Sequence, residues 1–273
     1  MFQVKPLDGY ENIDLVRTCK TFFRRPLMWT CFLRIDNVFI DTGNTSSDGS
    51  KLISYLREKK AGNNWLILNT HLHEDHCGNN KLIQKETGAN IYVPSKRENF
   101  DEVTRFYRFF WGRPELFECK ELKLSTTVTD AGRKLKSVRT PGHTPCHVSY
   151  YLEEENLWIT GDAIPLPEKK TYSMPEEDYK QTIRTLTELN KAITSGATVM
   201  DGHRGVLRDP RDYIEERIKN MEEVAIKVKK AWEKIPGDHS RVIKAVFGKS
   251  SLFYRLAAPR YSLDNTVRSI ISD

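Results

Sequence analysis

The stretch that decides the fold is Asn69-Thr70-His71-Leu72-His73-Glu74-Asp75-His76-Cys77-Gly78-Asn79, where histidines and carboxylates crowd together. It follows residues 65–69, a short apolar run of the kind that forms a buried strand. If the chain leaves that strand extended, the period of two places His71, His73 and Asp75 on one side, and a turn then carries His76 to a second position. The pattern predicts metal binding, with room for two adjacent ions. The zinc-binding helix motif H-E-x-x-H is absent, because its histidines stand four residues apart.

Three more candidate ligands follow predicted strands, each beside a glycine that lets the backbone turn sharply. They stand in Thr140-Pro141-Gly142-His143, Thr160-Gly161-Asp162 and Asp201-Gly202-His203. Together with the first stretch they offer five histidines and two aspartates. That set exceeds what one tetrahedral ion needs and suits two ions bridged by a carboxylate. His147 is predicted to support the site by hydrogen bonding, and His239 to be a surface or capping residue.

The rest of the chain alternates between strand and helix patterns. The strand patterns are a hairpin over residues 28–41 with its turn at Asp36-Asn37, and runs at 90–93, 138–140, 148–152, 157–160 and 197–200. The helix patterns cover 79–86, 176–195 and 210–235, with one helix capped by the polar cluster 46–50 and two amphipathic pieces after residue 240. Because no repeat or linker interrupts this order, we expect a catalytic core over 1–207 and a helical C-terminal extension over 208–273 packed on it.

The composition narrows the classes of protein further. A chain of 273 residues that is 38% hydrophobic can bury a substantial core. No apolar run is long enough for a membrane span or an export signal, and five widely spaced cysteines without a C-x-x-C pair argue against disulfides and a thiolate zinc site. We therefore expect a cytoplasmic protein. The net charge of +6 would suit an anionic substrate but falls short of the dense basic patch of a dedicated nucleic-acid binder.

In these motifs the sequence resembles the metallo-β-lactamase superfamily of metallo-hydrolases, in its glyoxalase-II-like and lactonase-like branch. The resemblance rests on the H-x-H-x-D-H stretch at 71–76, on the three glycine motifs, and on Asp41-Thr42-Gly43, and it covers residues 28–206 in order. It implies an α/β fold, a four-layer αββα sandwich with the metal site at one edge. It also implies that His71, His73 and His143 hold one metal, that Asp75, His76 and His203 hold the other, and that Asp162 bridges them. Asp41 would orient a ligand histidine through its other ring nitrogen.

The resemblance implies a hydrolase in which a metal-bridging hydroxide attacks a small ester, thioester or lactone, with Asp75 orienting the hydroxide as well as binding metal. Zinc is the default for both divalent ions, and iron and manganese suit the same ligands. A true β-lactamase is disfavoured because Asp162 stands at the bridging position. The residues after Asp162 reproduce neither the tyrosine usual in lactonases nor the glycine and arginine stretch of glyoxalase II. The alternative is a nuclease or phosphodiesterase of the same superfamily, acting on RNA or DNA.

Two segments lie outside these motifs, and the second of them, the C-terminal extension, departs from the minimal family pattern. Residues 96–118 mix basic and aromatic side chains, and the helical spacing of Phe106, Phe109 and Phe110 favours a substrate lid or a homodimer contact over a platform for stacking bases. In the C-terminal extension, residues 253–255 and Tyr261 are candidates to line the pocket. The expected partner is a small, anionic molecule, with nucleic acid as the alternative and no membrane.

Overall fold

The predicted hairpin lies in the middle of the first of two sheets in the computed structural model. The structure describes residues 1–23, 25–45, 48–59, 64–96, 112–166, 171–207, 210–248 and 260–272. Most of the basic and aromatic segment, at 97–111, and the candidate pocket residues 253–255 lie outside the described residues.

Within the described residues, the first sheet has seven strands in the order β1 to β7. Their bounds are β1 Phe2–Pro6, β2 Ile13–Phe22, β3 Arg25–Ile35, β4 Val38–Ile40, β5 Leu66–Leu68, β6 Asn90–Val93 and β7 Lys120–Glu121. Strands β1 to β4 pair antiparallel, and β4 to β7 pair parallel. The turn between β3 and β4 is the predicted Asp36-Asn37, where Asp36 has a φ of 52°.

In the part of the chain that the structure describes, the second sheet has six strands in the order β13-β12-β11-β10-β9-β8. Their bounds are β8 Thr126–Val128, β9 Lys134–Arg139, β10 Val148–Leu152, β11 Leu157–Gly161, β12 Thr198–Asp201 and β13 Gly205–Leu207. Only β11 and β12 pair parallel in this sheet, so both sheets are mixed.

The chain divides into two compact units. The first comprises Met1–Arg139, Val148–Gly161 and Gly196–Arg208, and it contains both sheets with helices α1 Gly49–Lys59, α2 Glu74–Cys77 and α3 Asn80–Thr87. The second comprises Thr140–His147, Asp162–Ser195 and Asp209–Asp273, with helices α4 Tyr179–Ala192, α5 Pro210–Lys234, α6 His239–Phe247 and α7 Leu263–Ile271. The boundary expected between residues 207 and 208 stays a prediction.

The first unit has two apolar cores. One lies between the sheets, where Leu33 and Ile40 of the first sheet meet Tyr150 and Ile159 of the second. The other covers the opposite face of the first sheet, where helices α1 and α3 contribute buried apolar side chains such as Leu52 and Ile83. At about 25 cal/mol for each Å² of apolar surface removed from water, these two layers supply the main stabilisation of the unit.

Helices α4 to α7 pack against one another in the second unit. Helix α5 buries Ile214, Met221 and Val228, which stand seven residues apart on one face, as its sequence pattern predicts. Helices α4, α6 and α7 begin at side-chain caps from Asp178, Asp238 and Ser262, each of which accepts a hydrogen bond from a first-turn N–H.

Two features of the backbone extend or correct the sequence predictions. Strands β1 and β2 precede the hairpin that the sequence pattern predicts over residues 28–41. The extended path predicted through Asp75 ends at His73, because residues 74–77 form the short helix α2. Asp75 therefore stands in a first helical turn, where neighbouring residues lie about 100° apart, and this brings it beside His76.

Candidate metal centre

Asp75, His76 and His203 form a group of ligand atoms in the first unit. One ligand atom from each lies within 4.8 Å of the other two. The Oδ2 atom of Asp75 is 3.5 Å from Nε2 of His203 and 3.9 Å from Nε2 of His76. Asp75 and His76 come from helix α2, and His203 comes from the turn between β12 and β13.

The rings of His71 and His73 extend this group. The ring centre of His71 is 4.5 Å from that of His73 and 4.3 Å from that of His76, and the centres of His76 and His203 are 5.7 Å apart. We call these four residues the histidine cluster. His71 and His76 are fully buried, so an ion held here would be largely removed from bulk water.

One carboxylate fixes the tautomer of two members of the cluster. Asp41 Oδ2 lies 2.8 Å from Nδ1 of His76, so this ring donates its proton from Nδ1. The Thr70 hydroxyl donates its single proton to the same Oδ2 at 2.7 Å, and it therefore accepts from Nδ1 of His71 at 3.0 Å. Both imidazoles then present the lone pair of Nε2, which is the atom that binds a metal.

Backbone hydrogen bonds hold Asp41 in this position. The residue follows β4 with a φ of 64°, a left-handed conformation that Asp tolerates better than most residues do. Its Oδ1 accepts from the backbone N–H of Thr70 at 2.7 Å. The next residue, Thr42, donates its N–H to the carbonyl of His76 at 2.8 Å. The loop after β4 therefore fixes the position of helix α2.

Asparagine side chains lock the same loops together. Asn79 Nδ2 donates to the carbonyls of Thr42 and Asn44 at 2.6 and 2.9 Å. Asn80 Nδ2 donates to Oδ1 of Asn69 at 2.8 Å. All of these asparagines are buried, so their hydrogen bonds offset the cost of removing polar groups from water. The ligands of the first unit consequently stand on a rigid frame.

The turn that carries His203 is set by Asp201 and Trp29. Asp201 Oδ1 accepts from the N–H groups of His203 and Arg204 at 2.9 and 2.8 Å, which closes the turn after β12. Nδ1 of His203 lies 2.9 Å from the carbonyl of Trp29. A carbonyl only accepts, so this ring also carries its proton on Nδ1 and presents Nε2 toward Asp75.

The donor set of the first unit fits a divalent metal. His71, His76 and His203 share the tautomer that metal-binding histidines use, with Nδ1 held by an oxygen acceptor. Burial raises the pKa of two neighbouring thiols, that of Cys31 to about 11 and that of Cys77 well above its usual value. The candidate ligand groups consist of imidazole and carboxylate, as the sequence indicates.

The other two predicted ligands, His143 and Asp162, belong to the second unit. His143 Nε2 lies 3.6 Å from Oδ2 of Asp162. His143 Nδ1 lies 2.9 Å from Oε1 of Glu177, so this ring too carries its proton on Nδ1. His147 is fully buried, with Nδ1 2.8 Å from the Thr140 hydroxyl. Its Nε2 accepts from the N–H of Asp162 at 3.3 Å, so His147 supports a predicted ligand by hydrogen bonding.

The loop that carries His143 lies directly on the start of helix α4. Gly142 has a φ of 136°, and a Cβ added there would stand 2.5 to 2.8 Å from atoms of Thr182. Its carbonyl accepts from the N–H of Asp178 at 2.8 Å, and the carbonyl of Pro141 accepts from the Thr185 hydroxyl at 2.5 Å. Glycine is therefore required here by both conformation and space.

The sequence motifs name the candidate ligands but give no sign of several residues that hydrogen-bond to them. Thr70 and Trp29 carry no metal-binding chemistry of their own. Glu177 stands 34 residues from His143, in a stretch without a recognised motif. A hydrogen-bonding partner can come from anywhere in the chain, so only the folded structure reveals it.

Comparison with known proteins gives the family. The profile of the metallo-beta-lactamase superfamily matches residues 36–199. The chain is 31% identical over 230 residues to "Beta-lactamase-like protein 2 homolog" of Caenorhabditis elegans. This match covers 81% of this chain and 70% of that protein. It is 30% identical over 131 residues to a hydroxyacylglutathione hydrolase of Erythrobacter litoralis, but that match spans only 45% of each protein.

Solved structures show the same fold. A metallo-beta-lactamase from Pontibacter korlensis superposes with a TM-score of 0.62 at 16% identity, covering 81% of this chain and 99% of the other. This likeness confirms the predicted fold class, with two mixed sheets, helices packed on the first sheet and further helices toward the C-terminus. On the evidence of the profile, the relatives and the fold, the chain belongs to the metallo-beta-lactamase superfamily.

Proposed function

We propose that this metal-dependent hydrolase cleaves a small thioester at a dinuclear metal centre. The observation that carries the proposal is the shared tautomer of His71, His76 and His203, each held at Nδ1 with Nε2 turned inward. A histidine cluster that served only to stabilise the core would gain nothing from presenting several lone pairs to one another and to Asp75.

The proposed ligand set is carried over from the family motifs. His71, His73 and His143 would hold one ion, Asp75, His76 and His203 would hold the other, and Asp162 would bridge them. The ligand groups found within each unit are compatible with this assignment. Zinc is the proposed metal, because imidazole and carboxylate are ligands that zinc takes in hydrolases.

A divalent ion bound here would lower the pKa of water toward neutrality and polarise the carbonyl of the substrate. Side chains of the protein would orient the attacking water and the ligand imidazoles. Asp75 is the proposed catalytic residue, because a carboxylate has a second oxygen that can accept a hydrogen bond from the attacking water. Asp41 would act through Thr70 and His76, holding the imidazole protons at Nδ1 throughout the reaction.

A thioester is the proposed substrate class because a relative is named as a hydrolase of hydroxyacylglutathione, which is an acyl thioester. The net charge of +6 suits an anionic thiol carrier of this kind. Esters and lactones present the same electrophilic carbonyl and stay within the proposed range. No observation in the described residues favours the phosphodiesterase alternative.

The test is a comparison of initial rates for the zinc-loaded protein on an S-hydroxyacyl glutathione, a lactone, a phosphodiester and single-stranded RNA. We expect saturable thioester hydrolysis in the wild type. In His203→Ala it should fall by more than about 100-fold, because losing a ligand costs more than the 10–100-fold typical of losing an outer partner. His239→Ala is the matched control, since His239 lies in α6 with Asp264 as its partner.

If His203→Ala and His239→Ala lose thioester hydrolysis to the same extent, the proposed site is contradicted. Cleavage confined to the phosphodiester or to RNA, and lost in His203→Ala alone, would replace the thioesterase proposal with the nuclease. If the protein hydrolyses the lactone and not the thioester, the proposed metal centre stands and the proposed substrate class becomes lactones.

A further inference from the structure

Glu177 is a buried carboxylate of the second unit whose two oxygens are both engaged. Its side chain is 4% exposed. Oε1 lies 2.9 Å from Nδ1 of His143, and Oε2 accepts from the backbone N–H of Met174 at 2.9 Å. Both neighbours are donors, so the arrangement requires two acceptor oxygens at once, which only a carboxylate provides.

The C-terminal helix α7 fixes the backbone on either side of this carboxylate. The Ser269 hydroxyl donates to the carbonyl of Glu177 at 3.0 Å and accepts from the N–H of Tyr179 at 2.7 Å. These bonds hold the residues at which helix α4 begins. Ser269 thus links the last helix of the chain to the residue that contacts His143.

A second set of contacts ties α7 to the segment before Glu177. Ser173 pairs with Ser262 as an isolated β-bridge, with N–H to carbonyl distances of 3.2 and 3.0 Å in the two directions. The Thr266 hydroxyl donates to the Ser173 hydroxyl at 3.0 Å, and Asn265 Nδ2 donates to the Ser173 carbonyl at 3.0 Å. Ser173 and Thr266 are fully buried, so these bonds are shielded from competing water.

We infer that Glu177 is a positioning residue for the metal ligand His143, and that helix α7 holds Glu177 in place for this role. The inference rests on the proposed function, because it requires His143 to bind a metal. It assigns part of the metal centre to a helix that lies outside the superfamily match at residues 36–199.

The physical basis is the tautomer of His143. With Nδ1–H donated to Glu177, the imidazole keeps its lone pair on Nε2, the nitrogen that faces Asp162. The hydrogen bond to Glu177 also fixes the orientation of the ring, as such partners do for metal-binding histidines. Losing such a partner typically costs 10–100-fold in metal affinity or activity.

Glu177→Gln keeps the shape of the side chain and removes one acceptor. If the amide nitrogen faces His143, the ring must accept at Nδ1 and carry its proton on Nε2, which blocks metal binding there. If the amide nitrogen instead faces Met174, two donors meet and the side chain is driven from its place. Either orientation weakens one metal position, whereas a merely structural Glu177 would leave metal binding unchanged.

The experiment measures cobalt(II) binding, the cobalt absorption spectrum and the thermal midpoint for full-length wild type, Glu177→Gln, Ser269→Ala and Ser272→Ala. Ser272→Ala is the matched control, because its hydroxyl contacts only the carbonyl of Ser269 among the hydrogen bonds described for it. We expect Glu177→Gln to bind one of two equivalents 10–100-fold more weakly, with an altered spectrum. Ser269→Ala should show a smaller loss and Ser272→Ala none.

Thioester kinetics provide a second readout. The kcat of Glu177→Gln should fall more than its KM rises, and excess metal should restore part of the rate. Wild-type cobalt affinity and spectrum in Glu177→Gln would overturn the inference while leaving the proposed function intact. If Glu177→Gln does not fold, the cobalt affinity of Ser269→Ala decides, and a wild-type value there overturns the role of α7. A wild type that binds no metal would defeat the proposed function itself.

Discussion

At the residue scale, Asp41 stabilises more of the centre than its family motif suggests. The motif implies one oriented histidine, whereas a single oxygen of Asp41 contacts both the Thr70 hydroxyl and the His76 ring. Through Thr70 it also sets the tautomer of His71. Two imidazoles therefore depend on one charge, and removing that charge should affect them together.

Asp41→Asn tests this dependence. Asparagine tolerates the left-handed backbone at this position but offers only one acceptor oxygen. We expect metal affinity to fall by 10–100-fold, since a partner of the ligands is lost while the ligands remain. Isothermal titration with zinc measures the change. Thr45→Ser is the control, because this hydroxyl contacts Gly78 and no member of the histidine cluster in its described bonds. An unchanged zinc affinity in Asp41→Asn would contradict the tautomer argument.

A second buried carboxylate, Asp14, predicts a pH dependence of stability. Burial raises its pKa, but hydrogen bonds from Tyr55 and Lys59 and the charge of Arg34 lower it by more, so the pKa in the folded protein lies below its usual value. Such a group stabilises the fold fully above the unfolded pKa of about 3.9, and this contribution is lost as the pH falls through the folded pKa.

Asp14→Asn should therefore lower the free energy of unfolding by about 3 kcal/mol at pH 7, because it leaves Arg34 buried without its charged partner. The difference from wild type should narrow below pH 4, because the Asp14 carboxylate takes up a proton in the unfolded wild type before it does so in the folded protein. Urea unfolding of both proteins at pH 7 and pH 3 measures this difference in the free energy of unfolding. Asp264→Asn, at an ion pair on the surface of α7, should cost less than about 1 kcal/mol. If the difference in unfolding free energy between Asp14→Asn and wild type is the same at both pH values, the lowered pKa of Asp14 is refuted.

At the element scale, sequence patterns located most helices and strands because their apolar residues recur at the expected spacing. The strands predicted at 90–93 and 148–152 match β6 and β10 residue for residue. Strand β2 has a weaker strand pattern, because it carries Asp14 and Arg17, which in most strands would face water. Here Asp14 is buried and paired with Arg34 of the next strand. That pairing joins distant positions and leaves no local signal.

The sequence pattern does not predict helix α2, because the histidine motif is typical of extended chain and the helix has only four residues. Its position depends on space beside Gly78. A Cβ added there would lie 2.3 Å from the backbone nitrogen of Thr45 and 2.7 Å from the carbonyl oxygen of Gly43. The close approach lets Gly78 donate its N–H to Gly43 at 2.8 Å.

Gly78→Ala should thus destabilise the protein by about 1–3 kcal/mol, as overpacking does, and should weaken zinc binding by displacing α2. Gly49→Ala is the matched control, because a Cβ there meets only Leu82 at 3.4 Å and alanine favours the helix α1. Thermal unfolding and zinc titration of both variants measure the contrast. Equal stability of the two variants would show that the loop at 43–45 can move aside.

At the scale of the whole molecule, the family and fold follow from a handful of motifs, while the substrate does not. The motifs indicate a metal centre of a kind that many hydrolases share. The choice of substrate depends instead on side chains of surface loops, which vary among related proteins. The cytoplasmic location and the homodimer stay predictions. Among the described helices, none has both the length and the apolar composition needed to cross a bilayer.

Metal removal is the prediction at this scale. An ion that binds only the folded chain stabilises it by about 4 kcal/mol when its concentration is 1,000 times Kd. For a chain of this size, a chelator should then lower Tm by roughly 10 °C, and added zinc should reverse the change. Differential scanning calorimetry measures both steps. His203→Ala should respond less than wild type, and a wild-type Tm insensitive to chelation would exclude a structural contribution from metal.

The contacts of α7 also bear on when the protein becomes competent during its synthesis. A ribosome releases His143 first, then Glu177, and Ser269 only with helix α7. The full set of hydrogen bonds around Glu177 therefore cannot form until α7 has left the exit tunnel. On the proposed role of Glu177, a nascent chain without α7 would hold metal at His143 10–100-fold more weakly than the finished fold does.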